Sequence, residues 1–243
     1  MTDVLAISAH PDDVEISAGG TIIKLRELDY SVAICTATDG EPTPHGSHEI
    51  RLAEAAKVEK YLGLAEYAIL DMPNRYLVDS VENRIKIANV IRRHRPTVIL
   101  APHTVGLHPD HAAIARIVDA ARFYAKLTKT DPHGNPWPYE PWWTPRIYNF
   151  FLGGAEEGVR PSFIVDVSAQ IERKRELLSF YASQFQVDMD LLSFSASWGR
   201  MIGSLYGEAF FSKGPVAIES PMLFAEKLGY PRQSGPDAGR EKA

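Results

Sequence analysis

"VLAISAHPDDVEISAGGTIIKLRELDY", residues 4–30, decides how the chain is to be read. It opens as a short apolar run, residues 4–9, rich enough in Val and Ile for a buried strand. It closes in helical spacing over residues 19–30, with Ile22, Ile23, Leu25 and Leu28 on one side. Between the two stand His10, Pro11, Asp12 and Asp13, and Glu15 follows. Adjacent carboxylates where a strand turns into a helix cost stability unless something positive lies close by. The remaining sequence has to supply that partner.

The same alternation continues outward. A strand-like run at 31–38 precedes a helix at 47–63, which Gly63 suits as a C-cap. Strand 67–72, helix 80–95, strand 97–102 and helix 111–126 follow. Such an order predicts an α/β fold: a Rossmann-like, mostly parallel sheet with helices on both faces. The second half is less regular and predicts a small irregular C-terminal part. Residues 131–145, dense in proline and aromatics, read as a long ordered loop, then come strands at 146–152 and 162–168 and an amphipathic helix at 169–185. We expect one domain over 1–230 and a flexible tail over 231–243, where no apolar pattern persists.

The bulk numbers narrow the function. A chain of 243 residues with 45% hydrophobic and 23% charged residues has material for one large core. Its net charge of −5 provides no global basic field for nucleic acid or an anionic membrane. No stretch approaches the roughly 20 apolar residues of a membrane span, and the N-terminus turns polar too soon for a signal peptide. A cytoplasmic protein is the expectation. Cys35 is the single cysteine, so no intramolecular disulfide can form, and its strand-like setting predicts a small buried side chain.

Polar residues gather just past the strand ends: His10, Asp12 and Asp13 after the first strand, Asp39 after the second, Asn74 and Arg75 after the third, His103 and "GLHPDH" (106–111) after the fourth. Open α/β sheets bind ligands outside the carboxyl ends of their strands, where strand order reverses. In the order 3-2-1-4, strands one and four flank that crevice, and they carry the two histidine–aspartate clusters. Two imidazoles and a carboxylate suit a catalytic zinc with water in the fourth position. One carboxylate of the Asp12–Asp13 pair can ligate such a cation, and the other can accept a proton from its water. Taken alone, "HPDH" is also a helix start capped by Asp110, and "AHPDD" a capped turn. Gly19 and Gly20 make no G-x-G-x-x-G, and carboxylates at the helix entry would repel a pyrophosphate. Arg51 reads either as an exposed partner of Glu49 or Glu54 or as a ligand contact, and His94 as part of a charged surface. Trp137, Trp142 and Trp143 either wall a sugar site or plug the core beneath a loop.

With "AHPDD" followed by "HPDH", the chain resembles the LmbE/PIG-L family of zinc-dependent N-acetyl-sugar deacetylases. The likeness continues through "EIRLAEA", "DMPNRYL", "PRIYNF", "PSFIVDVS", "FYASQF" and "LYGEAFFSKGPV", and the later segments are most similar to the branch acting on N-acetylglucosaminyl malate in bacillithiol synthesis. The resemblance implies that His10, Asp13 and His111 hold zinc and that Asp12 is the general base. It implies that a protonated His108 stabilises the oxyanion or acts as acid, oriented by Asp110. Arg51 matches a substrate-contacting arginine, and Arg75 and Arg146 are further substrate candidates. A homo-oligomer acting on a small N-acetyl amino sugar is implied as well. Where the malate-type enzymes carry an arginine before "HPDH", this chain has Leu107. Readings from other classes are a metal-dependent hydrolase of a phosphate ester and a zinc- and sugar-binding module without turnover.

Overall fold

The computed structural model describes residues 1–106, 108–152, 160–185 and 190–217. Strands β1 (Val4–Ser8), β2 (Val32–Thr36), β3 (Glu66–Ile69), β4 (Val98–Pro102) and β5 (Arg146–Phe150) alternate with helices α1 (Asp13–Glu27), α2 (His48–Leu62), α3 (Val81–His94) and α4 (Pro109–Ala125). After β5 come β6 (Phe163–Asp166), α5 (Ile171–Leu178), α6 (Ser193–Met201) and β7 (Gly207–Phe211). They build a seven-stranded sheet in the order β3-β2-β1-β4-β5-β7-β6. The first five strands are parallel, and β7 runs antiparallel to both β5 and β6. β1 is central, with Val4 in register with Val32 on one side and Val98 on the other.

Alternation along β1 sorts the core into two layers. Leu5 and Ile7 pack with Ile87 and Ile91 of α3 and with Ile114 and Val118 of α4. Val4 and Ala6 face the other way, onto Val14, Ala18 and Ile22 of α1, Val58 of α2 and Leu177 of α5. Helices therefore cover both faces, as the alternating pattern predicts. Cys35 is fully buried on the α3–α4 side, and burial pushes its thiol up to about 12. Among the described residues no helix is long and apolar enough to cross a membrane.

Several expectations need correction. Helix α1 starts at Asp13 rather than at residue 19, because Val14 and Ala18 already face the core. The paired carboxylates thus stand at the first turn of a helix and not in a loop ahead of it. β7 and α6 had no predicted counterpart, since a fully buried Glu208 interrupts the apolar run of β7. The helix expected over 169–185 ends at Leu178. His94 is buried and not on the surface, with Nδ1 at 3.1 Å from the Thr2 hydroxyl and Nε2 at 2.9 Å from Glu66.

The tryptophan-rich loop after α4 lies at the sheet edge opposite the site, where β4 and β5 begin. Trp142 Nε1 donates to Pro96 O at 2.9 Å, and Trp137 and Trp142 pack against the α3–α4 core. Arg92, Arg95 and Arg122 stack over Trp137, Trp142 and Trp143 at 4.4, 4.8 and 3.9 Å. Trp137 and Trp142 plug the core, Trp143 is exposed, and none of the three lines the candidate site. Met1–Lys213 form one compact unit containing every element above. The expected tail, 231–243, lies outside the described residues.

Candidate metal and catalytic site

Because β1 and β4 are hydrogen-bonded neighbours, the loops after them meet at the carboxyl edge of the sheet. The first loop carries His10 and Asp12 into Asp13, the opening residue of α1. Its turn is tight: Asp13 Oδ2 accepts the His10 amide at 2.9 Å, and Asp12 sits at φ 104°, a region a non-glycine residue enters only at a cost. The second loop ends at His108, which caps α4, with Pro109 at the first helical position. His111 follows one turn in.

Donor atoms of three residues converge between these loops. His111 Nε2 lies 3.1 Å from Asp13 Oδ1 and 3.3 Å from His10 Nδ1, and His10 Nδ1 lies 3.5 Å from Asp13 Oδ2. Ligands at about 2.0–2.1 Å around a tetrahedral ion are separated by about 3.3–3.4 Å. The triangle fits such an ion. His108 stands beside it, and His10, His108 and His111 have ligand atoms that all lie within 4.8 Å of one another. The His10–Asp13–His111 set is the more compact of the two, and His108 also lines the pocket.

Asp110 does something other than expected. Its carboxylate is buried and accepts from His10 Nε2 at 3.3 Å, from the Arg75 amide at 2.7 Å and from the Leu77 amide at 3.2 Å. It thus fixes the His10 tautomer, leaving Nδ1 as the ligating nitrogen, and ties down the loop after β3. Its link to His108 runs through the backbone, the Asp110 amide donating to His108 Nδ1 at 3.2 Å. That bond places the remaining ring proton of His108 on Nε2. Asp110→Asn is expected to weaken zinc affinity by about 10–100-fold while the protein stays folded, read by titration against a chelator of known affinity.

Charge balance answers the question raised by the opening motif. Burial favours a neutral His10, but the hydrogen bond to Asp13 and the charges of Asp13 and Asp12 outweigh it and raise the ring to about 9. Burial alone would raise Asp13, but the charges and hydrogen bonds of His111 and His10 outweigh it and hold the carboxyl far below the usual range. Asp12 is pushed up to about 8 by burial and then by the Asp13 charge, with Arg51 pulling the other way. The crowded carboxylates thus hold protons on His10 and Asp12, places where a bound cation would supply the positive charge instead. His108 is lowered, first by burial and then by His10 and His111, which favours its neutral ring. Glu15 is buried away from the pocket, accepting the Tyr181 hydroxyl at 2.8 Å.

Arg51 is 1% exposed. Its guanidinium donates to Pro11 O, to Asp39 O at 3.2 Å and to Glu54 at 3.5 Å, and reaches Asp12 Oδ2 at 3.4 Å. The exposed-partner reading of this residue is wrong: Arg51 backs Asp12 and the turn that carries it. Arg75 is exposed at the rim, donating to Pro42 O at 2.6 Å. Arg146 opens β5 beside Val98, at the far end of the sheet from the site, because β5 runs parallel to β4. It is not a pocket residue. Leu107 lies outside the described residues.

The metal triangle floors a pocket of about 270 Å³. Asp12, Arg51 and His108 stand around it, and Gly40, Pro42, Thr43, Asn74, Arg75 and Gln184 form its upper wall. Asn74 and Arg75 are anticipated by their place after the third strand, whereas Thr43 and Gln184 carried little signal because they are remote from both motifs.

Residues 5–122 match the family described as PIG-L, GlcNAc-PI de-N-acetylase. The conserved protein TT1542 from Thermus thermophilus has a similar structure, at 33% identity and a TM-score of 0.81 over 90% of this chain and 97% of that one. The chain belongs to the PIG-L family. This PIG-L protein is also similar to the diacetylchitobiose deacetylase of Thermococcus kodakarensis, at 29% identity over 84% of the chain and 80% of the relative. The N,N'-diacetylchitobiose deacetylase from Pyrococcus horikoshii, solved with an inhibitor, is similar at 26% identity and a TM-score of 0.70, covering 86% of this chain and 82% of that one.

Proposed function

We propose that the protein is a zinc-dependent deacetylase of a small N-acetylglucosamine-containing molecule, releasing acetate and the free amine. The observation that carries this reading is the compact His10–Asp13–His111 triangle with a second carboxylate, Asp12, beside it in one pocket. Deacetylation of an N-acetyl amino sugar is also what the similar Thermococcus protein is named for. Zinc held by the triangle would supply Lewis acidity, polarising an amide carbonyl and making a water ionisable near neutral pH.

This chain's own residues perform the proton work. Asp12, held against Arg51, takes a proton from the attacking water as its oxygen adds to the acetamide carbon. His108 donates its Nε2 proton as a hydrogen bond to the oxygen on which charge develops, a contribution typically worth about 10²–10³ in rate. Asp12 then returns its proton to the nitrogen, the carbon–nitrogen bond breaks, and the electron pair leaves with the amine. Arg75, Asn74 and Gln184 at the rim are placed to meet sugar hydroxyls. A cytoplasmic homo-oligomer remains the expectation that accompanies this reading.

The test is acetate release by zinc-loaded protein from diacetylchitobiose, N-acetylglucosamine and N-acetylglucosaminyl malate. Acetate from at least one supports the proposal, and the preferred substrate shows whether the pocket tolerates a carboxylate-bearing aglycone. Zinc bound with no acetate from any of them, or phosphate released from phosphate esters instead, would overturn it.

A further inference from the structure

Lys174 on α5 and Glu208 on β7 form an ion pair, 2.7 Å from Nζ to Oε1, with side chains 0% and 1% exposed. The pair is fully hydrogen-bonded, and most of its bonds go to the backbone of α1. Glu208 accepts the Gly20 amide on Oε1 at 2.8 Å and the Thr21 amide on Oε2 at 2.6 Å. Lys174 Nζ donates to Ile16 O at 2.6 Å and to the Ser195 hydroxyl at 3.1 Å. Ile16 O and the Gly20 amide are the two ends of one i→i−4 rung of α1, so the ion pair clasps both ends of that rung.

Gly19 and Gly20, which no nucleotide motif explains, make this close approach possible. A Cβ on Gly20 would lie 2.8 Å from Val167 Cβ and 3.1 Å from Glu208 Oε1, and one on Gly19 would lie 3.2 Å from Leu177 Cδ2. From the ion pair to the catalytic turn is a short path. Ile16, whose carbonyl Lys174 holds, donates its own amide to Asp12 O at 2.9 Å. The first turn of α1 is thereby gripped at its far end by Lys174, itself anchored by Glu208 on the next turn, while Arg51 holds the Asp12 carboxylate at the near end.

We propose that the Lys174–Glu208 pair is a positioning device for the reaction, fixing through the Ile16 peptide the direction in which α1 aims Asp12 and Asp13. It deepens the deacetylase reading above and rests on it for the identity of the reacting carboxylates. A buried pair that only joined elements could be exchanged for apolar side chains of similar volume without harm. A pair that aims a helix cannot, because catalysis is lost by displacements too small to unfold anything.

The experiment compares the parent protein with Lys174→Met/Glu208→Leu and with Glu208→Asp, which keeps the charge and retracts the carboxylate. Melting temperature, kcat and KM for acetate release, and the visible spectrum of the cobalt(II)-substituted protein are read for each. The expected result is a protein that melts within a few degrees of the parent, with kcat lower by about 10²-fold. KM should move by no more than about twofold, and the cobalt band should change in position or intensity. A folded variant with parental kcat and cobalt spectrum overturns the proposal. So does a loss of kcat that merely follows the folded fraction with the cobalt band unchanged. Should the double variant fail to fold, Glu208→Asp decides by the same readouts. If the parent itself releases no acetate, the deacetylase reading fails, and the cobalt spectra still report whether the pair aims the ligands.

Discussion

Asp12→Ala is expected to keep its zinc and lose its turnover. Asp12 is absent from the donor triangle, whose edges run from His111 Nε2 to Asp13 Oδ1 and to His10 Nδ1 at 3.1 and 3.3 Å. Removing its carboxylate leaves those atoms in place but takes away the group that accepts and returns the proton, and kcat should fall by about 10²–10⁴-fold. Alanine has a second effect, because the position lies at φ 104° and the buried Arg51 loses an acceptor. Asp12→Asn separates the two: its amide oxygen can still face Arg51, so the fold is retained, and turnover should be as low as in the alanine variant. Zinc content by elemental analysis and acetate release decide the matter. Zinc lost from Asp12→Ala but kept by Asp13→Ala would mean that the two aspartates have exchanged roles.

His111→Ala should lose metal and activity together. His111 Nε2 is the donor that faces both remaining ligands, and without it the site offers one imidazole and one carboxylate, too few for a zinc site with an open position. The side chain is in the first turn of α4, and alanine suits a helix well, so the metal-free protein should melt close to the parent. Zinc stabilises a protein that binds it in the folded state, by an amount that grows with the ratio of free metal to Kd. The parent should therefore show a rise in melting temperature on zinc addition, and His111→Ala should show none at micromolar metal. A full zinc complement in that variant would move the ligand role to His108, the third imidazole of the wider cluster.

The part of the fold that positions the site follows from patterns readable in the chain. The first four parallel strands announce themselves as apolar runs between helical stretches, and the histidine–aspartate clusters at the ends of β1 and β4 meet because those strands are neighbours. What stayed hidden is polar and buried. Arg51 has the sequence context of a solvated helix residue, yet its guanidinium is closed in by carbonyls from the turns after β1 and β2. Lys174 and Glu208 are far apart in the chain, and each breaks an apolar pattern whose logic appears only once α1, α5 and β7 meet. Arg146 was misplaced for a related reason: its motif neighbours suggested a substrate contact, but the direction of β5 sets it at the wrong end of the sheet.

The left-handed backbone at Asp12 has a consequence for how such a protein tolerates change. Glycine occupies φ 104° without a Cβ penalty, so at this position the residue best for folding and the residue needed for proton transfer differ. A library sorted only for thermal resistance would drift toward glycine here, collecting robust proteins that bind metal and turn over nothing. Sorting on acetate output would hold the aspartate in place at a standing conformational cost of about 1–3 kcal/mol, which the surrounding core has to carry.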